Sequence, residues 1–251
     1  MNLGCDAVIV NQLIGNLDEK ALKDSVKDYV LPFEGFEARI INREEKGVGL
    51  SRNTALEASD HEIIQFGDDD IIYDDGYASK IVAEFDAHPE ADMLLFNVKA
   101  QEGRETYWNE DFSRITWKNY GRYPAYAICA RRDKLLQSGV KYSLLFGGGA
   151  PYMNGEDSLF LHDCLKEGLH IYRTTVAIGK EKQGESTWFK GYTDKFFFDR
   201  GVLYHFLYGK MAVILGFRYL FKNRKEMCQK KGLLKCWKLL IDGVKHGSDI
   251  S

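Results

Sequence analysis

Gly47-Val48-Gly49-Leu50-Ser51-Arg52-Asn53-Thr54-Ala55-Leu56-Glu57-Ala58, followed by Glu62-Ile63-Ile64-Gln65-Phe66-Gly67-Asp68-Asp69-Asp70, is the stretch from which the fold can be read. Two glycines lead into a helix at Leu50 and Ser51. A short continuous apolar run then reads as a strand covered on both faces, and it ends in three carboxylates. Working outward, Ala7-Val8-Ile9-Val10-Asn11 and Ala38-Arg39-Ile40-Ile41 read as two earlier strands, with a helix from Leu17 to Val30 between them. Downstream, Asp75 is placed to cap a helix through about Ala87, and Ala91 to Val98 holds a fourth strand. This alternation predicts an α/β fold, a mostly parallel central sheet flanked by helices.

The pattern changes after the first hundred residues. Tyr107 to Tyr126 is rich in Trp, Tyr and Arg without clear periodicity, and Gly147-Gly148-Gly149 marks a loop. Gly155-Glu156-Asp157-Ser158 opens an amphipathic helix from about Ser158 to Glu167, which Gly168 stops. Leu169 to Tyr172 reads as a further strand. From Thr193 the chain is aromatic, apolar and basic, and predicts two or more helices. The expected organisation is a first domain over 1–192 and a helical extension over 193–251.

With 251 residues, 45% apolar and 28% charged, the chain can bury a sizeable core and is not disordered. Its net charge of −3 argues against a dedicated nucleic-acid binder. The charge is unevenly spread, however. Residues 222–238 hold seven basic side chains and one acid, Glu226, so a mildly acidic body carries a basic tail. Five scattered Cys show no metal spacing and suit a reducing compartment. No basic leader followed by a long apolar stretch opens the sequence, so a cytoplasmic location is expected. The most apolar region, Gly201 to Phe221, is interrupted by His205, Lys210 and Arg218, which does not suit a bilayer span.

The residues with chemistry to offer gather in few places. In extended backbone Asp68 and Asp70 share one face while Asp69 takes the other. Converging carboxylates repel unless a cation relieves them, and a hard divalent ion suits oxygen ligands. The competing reading is a solvated turn. Arg52, in the first turn of its helix beside a glycine loop, can pair with a diphosphate or form an ordinary ion pair. Glu156 and Asp157 stand where a helix begins, either as residues stabilised by its N-terminus or with one carboxylate in reach of an acceptor hydroxyl. Trp188 offers a flat apolar face for a sugar ring, with core packing as the alternative. Gly148 lies in a loop that is either acceptor-side or merely a turn. Asn53 reads as structural, His162 and His170 as ordinary helix and strand residues, and Cys164, Cys228 and Cys236 as packing residues.

The run Gly47 to Leu56, with Arg52-Asn53, then Ile63 to Asp70, resembles the family 2 glycosyltransferases of GT-A fold, with their R-N helix followed by a strand ending in D-x-D. Gly155-Glu156-Asp157-Ser158-Leu159-Phe160 resembles their E-D motif at a helix start. The resemblance covers roughly residues 5–190. It implies Asp70 as metal ligand, Asp68 toward the metal shell or the donor ribose, and Asp69 on the donor side. It also implies Asp157 as general base, with Arg52 on the diphosphate and Glu156 orienting the acceptor or the loop. The sequence departs from the family in one respect. Val8 to Gln12 resembles the family's second strand, and the first is not represented. Where that second strand commonly ends in an acidic pair, Asn11 and Gln12 stand instead, able to hydrogen-bond a uracil edge.

What the resemblance implies is transfer of a sugar from a nucleotide-diphosphate donor, a UDP-sugar, to an acceptor hydroxyl by metal-dependent inversion, with Mn²⁺ or Mg²⁺ as cofactor. The acceptor expected by analogy is a saccharide or lipid-linked saccharide of bacterial polysaccharide assembly. The alternative is a degenerate GT-A domain that binds carbohydrate or a partner without catalysis. The apolar residues from Phe206 to Phe221 and the basic run behind them predict attachment to an anionic membrane surface, on the inner face of the cell membrane. The competing reading is a C-terminal helix packed on the domain.

Overall fold

The computed structural model describes residues 2–13, 27–184 and 191–251. Strand β1 (Ala7–Gln12) pairs in parallel with β3 (Phe36–Arg43), and β2 (Tyr29–Phe33) pairs antiparallel on the other side of β3. Helix α1 (Val48–Ala58) packs against β1. The helix expected up to Val30 does not extend that far, because Tyr29 and Val30 lie in β2. Tyr-Val-Leu-Pro-Phe is an aromatic and β-branched run, and a proline inside a helix would remove a hydrogen bond and clash with the preceding turn. The two strands join through Glu34-Gly35, where Gly35 has φ of +86°. The remainder of the expected helix, 17–26, falls outside the described residues.

The larger sheet runs in the order β4 (Ile63–Gln65), β8 (Ile128–Arg131), β6 (Met93–Lys99), β9 (Ile171–Glu181), β5 (Ile71–Tyr73), with β7 (Ser113–Arg114) also on β9. Between them in sequence come α2 (Tyr77–Ala87), α3 (Arg132–Ser138) and α4 (Glu156–Lys166). The architecture is a mixed α/β sheet flanked by helices. The expectation of a mostly parallel sheet is corrected, since β1–β3 and β6–β9 are parallel and the other five pairings are antiparallel. β8 inserts between β4 and β6, and a strand added from 30 residues downstream leaves no trace in local alternation. β6 is buried along all but its last residue, as its unbroken run Met93-Leu94-Leu95-Phe96 requires. Helix α2 has Gly76 at its N-cap with φ of +69°, so Asp75 does not cap it; its carboxylate instead accepts from Asn2 Nδ2 at 2.8 Å.

The aperiodic stretch after residue 105 is held by a polar knot inside the core. Asn109 donates to Leu95 O and Thr174 O, exchanges hydrogen bonds with Asn97, and accepts from Tyr123 Oη at 2.9 Å. Every polar arm of Asn109 is thereby used, which fixes one register for the segment leading to Ala125.

The C-terminal helices are α5 (Asp194–Tyr208), α6 (Ala212–Lys222), α7 (Arg224–Met227) and α8 (Leu233–Asp249). Helices α5 and α8 cross with backbones nearly touching. A Cβ at Gly201 would overlap Leu240 O, and one at Gly243 would overlap Phe198 O. Helix α5 faces two apolar clusters. Its Val202, Leu203 and Leu207 complete the core of the sheet, while Phe196, Phe197 and Tyr204 join Leu220, Cys236 and Leu240 in a second one. The apolar set expected to face a membrane is therefore divided. Leu207 and Leu220 are buried, and Met211, Ile214, Phe217 and Phe221 are exposed. Among the described residues no helix is long and apolar enough to cross a bilayer.

Candidate active site

The start of α1 is fixed from two sides. Gln12 donates its Nε2 to Gly47 O at 2.9 Å and accepts Gly47 N–H at 3.2 Å through Oε1, pinning both backbone groups of a residue with φ of +143°. Asn11 donates to Asn42 Oδ1 at 2.9 Å. Both amides are thus engaged within the protein, and Gln12 in particular shapes the loop ahead of Arg52. On the other side, Asn53 clasps the backbone of Tyr142 with two hydrogen bonds, at 2.9 and 2.8 Å, which is the structural part read for it from sequence. A Cβ at Gly49 would lie 2.5 Å from Ser143 O, so a glycine is needed where α1 meets this segment.

The Gly147–Gly149 loop closes over the same helix start. Val48 N donates to Gly148 O at 2.8 Å, and a Cβ on Gly149 would lie 3.0 Å from Gly47 N. Gly147 lies against Glu156, whose Cδ would be 2.8 Å from an added Cβ. Gly148 therefore belongs to the wall that joins α1 to the Glu156–Asp157 turn. Gly155, with φ of +106°, turns the chain into α4 while pressed against Leu203 of α5.

Arg52 projects from the first turns of α1 into this enclosure, 9% exposed. Its Nη1 donates to Asp157 Oδ1 at 2.7 Å and its Nη2 to Asp68 Oδ1 at 3.0 Å. Glu156 Oε1 stands 3.9 Å away. The guanidinium lies 4.9 Å from the centre of the Tyr142 ring, which is itself stacked on Phe160 at 4.1 Å. Burial disfavours the Arg52 charge, but Asp157, Asp68 and Glu156 outweigh it and hold the guanidinium above its ordinary pKa. Three segments separated by up to 105 positions in the chain thus converge on one cation.

Asp157 Oδ2 accepts Ala125 N–H at 3.0 Å, so each carboxylate oxygen has one partner and keeps a further lone pair. Burial pushes this carboxyl up to about 7; Arg52 pulls it down, and Glu156 and Asp68 push it up again. A fifth of its side chain remains open to solvent.

The three aspartates after β4 do not continue the strand. Ile71 N donates to Asp68 O at 3.3 Å, making Asp69 and Asp70 the corner of a turn, and the expected alternation of faces is replaced by that geometry. Asp70 O accepts Lys182 N at 2.7 Å, and burial, then the Asp68 charge, raise the Asp70 carboxyl. Arg52 neutralises Asp68 and leaves Asp70 without an ion-pair partner among the described residues. Such an all-oxygen donor pair, with one carboxylate under like-charge stress, fits a hard divalent cation. No group of three His, Cys, Asp or Glu is gathered among the described residues, so a metal here would take its other ligands from a bound diphosphate and water.

Trp188 and its neighbours Ser186, Thr187 and Phe189 lie outside the described residues. Sequence reasoning missed Tyr142, Glu181 and the Ala125 amide. Glu181 accepts from Tyr126 Oη at 2.6 Å and adds to the field at Asp70. A backbone amide gives no signal in a sequence, whereas the aromatic density up to Tyr126 did mark that region.

Residues 17–141 match the sequence model of Glycosyl transferase family 2. No curated protein matches the chain by sequence. Among solved structures, residues 1–349 of TarS from S. aureus in complex with UDP-GlcNAc superpose with a TM-score of 0.60 at 15% identity, covering 98% of this chain and 80% of that one. The same fragment of TarS alone gives 0.58 at 13% identity, covering 99% and 83%. In complex with UDP it gives 0.55 at 15% identity, covering 87% and 62%. At these identities the likeness establishes the GT-A fold.

Proposed function

We propose, for a chain that belongs to glycosyl transferase family 2, that its site transfers a sugar from a UDP-linked donor to an acceptor hydroxyl in a single inverting displacement. The observation that carries this reading is the convergence of Arg52, Asp68 and Asp157 at one enclosure, beside an acidic turn with an unneutralised carboxylate. Asp70 and Asp68 would hold Mn²⁺ or Mg²⁺, which when bound supplies positive charge against a leaving diphosphate. Arg52, held by Tyr142 and paired with Asp157 and Asp68, would add its positive charge to the same region when a diphosphate binds. We assign the transfer chemistry to 1–192 and a supporting part to 193–251.

Asp157 is the general base of this proposal. A sugar hydroxyl is a poor nucleophile, and its proton must leave as the new bond forms. Burial makes the Asp157 carboxylate basic enough for that task, while Arg52 and the Ala125 amide favour its ionised form and orient it. Glu156, one residue earlier and held against Gly147, would orient the acceptor or the loop.

Two substitutions separate these parts. Asp70→Asn should weaken Mn²⁺-dependent UDP binding, read by calorimetry, together with turnover. Asp157→Asn should leave UDP binding intact and lower transfer by about 10²–10⁴, the usual contribution of a positioned base. Normal UDP–Mn²⁺ binding by Asp70→Asn would remove the metal assignment. Near-normal turnover by Asp157→Asn would remove the base. A wild-type chain that neither binds UDP nor hydrolyses or transfers any nucleotide sugar would favour the alternative, a degenerate domain that binds carbohydrate or a partner without catalysis.

A further inference from the structure

Helix α6 carries apolar side chains on two opposite faces. At 100° per residue, Ala212, Gly216 and Leu220 share the side packed against α5 and α8. Ile214, Phe217 and Phe221 share the opposite side, where they are 61%, 38% and 50% exposed, and Met211 extends the strip at 50%. A helix needs only one apolar face to pack on its own domain. The outward strip is continuous, since the rings of Phe217 and Phe221 stack on each other and Phe217 also meets Trp237 of α8.

The charge around the strip is mostly positive. Lys210, Arg218, Lys222 and Lys225 are exposed beside it, and Arg224 lies over the Phe221 ring at 4.2 Å. From Gly209 to Ser251 the sequence holds ten basic and three acidic side chains, a net charge of +7. The remaining 208 residues hold 24 basic and 34 acidic, a net charge of −10. An apolar strip within a cationic field, on a body of opposite sign, matches a surface that is negative outside and apolar beneath.

We propose that this face of α6 docks on an anionic lipid bilayer, lying in its interface without crossing it. A second copy of the chain is a poorer fit, because it would bring +7 against +7. The docked element is linked to the site through α5. Helix α5, which packs on α6, presses Leu203 against Gly155 just ahead of Glu156 and Asp157. Docking would hold that loop at a defined height over a lipid surface. The inference does not depend on the catalytic reading, because it is tested by binding alone.

The test uses the full chain and sedimentation with vesicles of phosphatidylcholine, with or without phosphatidylglycerol. Wild type should sediment with the anionic vesicles, release at high salt, and ignore the neutral ones. Ile214→Glu with Phe221→Glu replaces two exposed side chains and should lower partitioning about tenfold or more for each. Lys222→Ala with Lys225→Ala should lower it about fivefold for each charge. Folding of the variants is checked by circular dichroism. Should the acidic pair not fold, an environment-sensitive fluorophore on Ile214→Cys gives the same reading, with a blue shift on anionic vesicles only. Absence of wild-type binding, undiminished binding by the Ile214/Phe221 variant, an unshifted fluorophore, or a strip-dependent dimer that leaves vesicles alone would each overturn the proposal.

Discussion

Replacing Arg52 by Met keeps much of the side chain's volume and removes its charge and its hydrogen bonds to Asp157 and Asp68, at 2.7 and 3.0 Å. Breaking a buried ion pair by deleting one partner costs about 3–5 kcal/mol, because the other charge is left without compensation. The two ends are not equal here. The Asp68 side chain is 34% exposed, so water screens it and its end contributes within the surface range of about 0–1 kcal/mol. The Asp157 side chain is 21% exposed and carries most of the loss. A total of about 3 kcal/mol follows, or roughly 6–12 °C in Tm for a chain of this size. The loss depends on pH. Asp157 in the folded wild type titrates at about 7, above its unfolded value, so its contribution to stability is full below the unfolded pKa and declines as pH rises through 7. Without Arg52 the folded carboxyl binds its proton more tightly still. The folded variant then holds a proton that folded wild type has released, and the deficit widens as pH rises above 7. Chemical denaturation of both proteins at pH 5 and pH 8 measures this. A deficit that is equal at the two pH values, or larger at pH 5, would refute the reasoning that Arg52 stabilises an ionised Asp157.

Two other outcomes follow from the same structure. Gly243→Ala places a methyl group into Phe198 O at the α5–α8 crossing; it should cost about 3 kcal/mol, the upper end for overpacking, and thermal unfolding reads it directly. If Asp157 is the base, the transfer rate at low substrate should rise with pH to a plateau with a midpoint near 7, and a profile flat from pH 5 to 8 would assign the proton to another group.

The parts of the fold legible in the sequence are those set by near neighbours. The helix after Gly47-Val48-Gly49, the apolar strand before the aspartates and the helix after Gly155 each announce themselves within a dozen residues. What could not be read depends on distant partners. Tyr29 to Phe33 becomes a strand because β3 lies beside it, and β4 gains β8 from far downstream. The aspartate turn is closed by one backbone hydrogen bond from Ile71 that side-chain alternation cannot foresee. For the site, the residue types were visible and their partnerships were not. Arg52 was read as an anion-binding group, yet that it joins Asp68 to Asp157 requires three remote segments to be placed together. Asn11 and Gln12 were read for a ligand; in the structure Gln12 holds both backbone groups of Gly47 and Asn11 donates one N–H to Asn42.

The position of Leu203 has a consequence for where this protein can be cut. A boundary drawn at residue 192 looks natural from composition, but Val202, Leu203 and Leu207 fill one wall of the sheet's own core. A shortened chain would leave that wall open to water, and Gly155, whose backbone rests on Leu203, would lose the stop that sets the direction of Glu156 and Asp157. The helical extension is therefore part of the mould in which the two carboxylates are cast, and changes far out in the last sixty residues can reach that turn without touching either carboxylate.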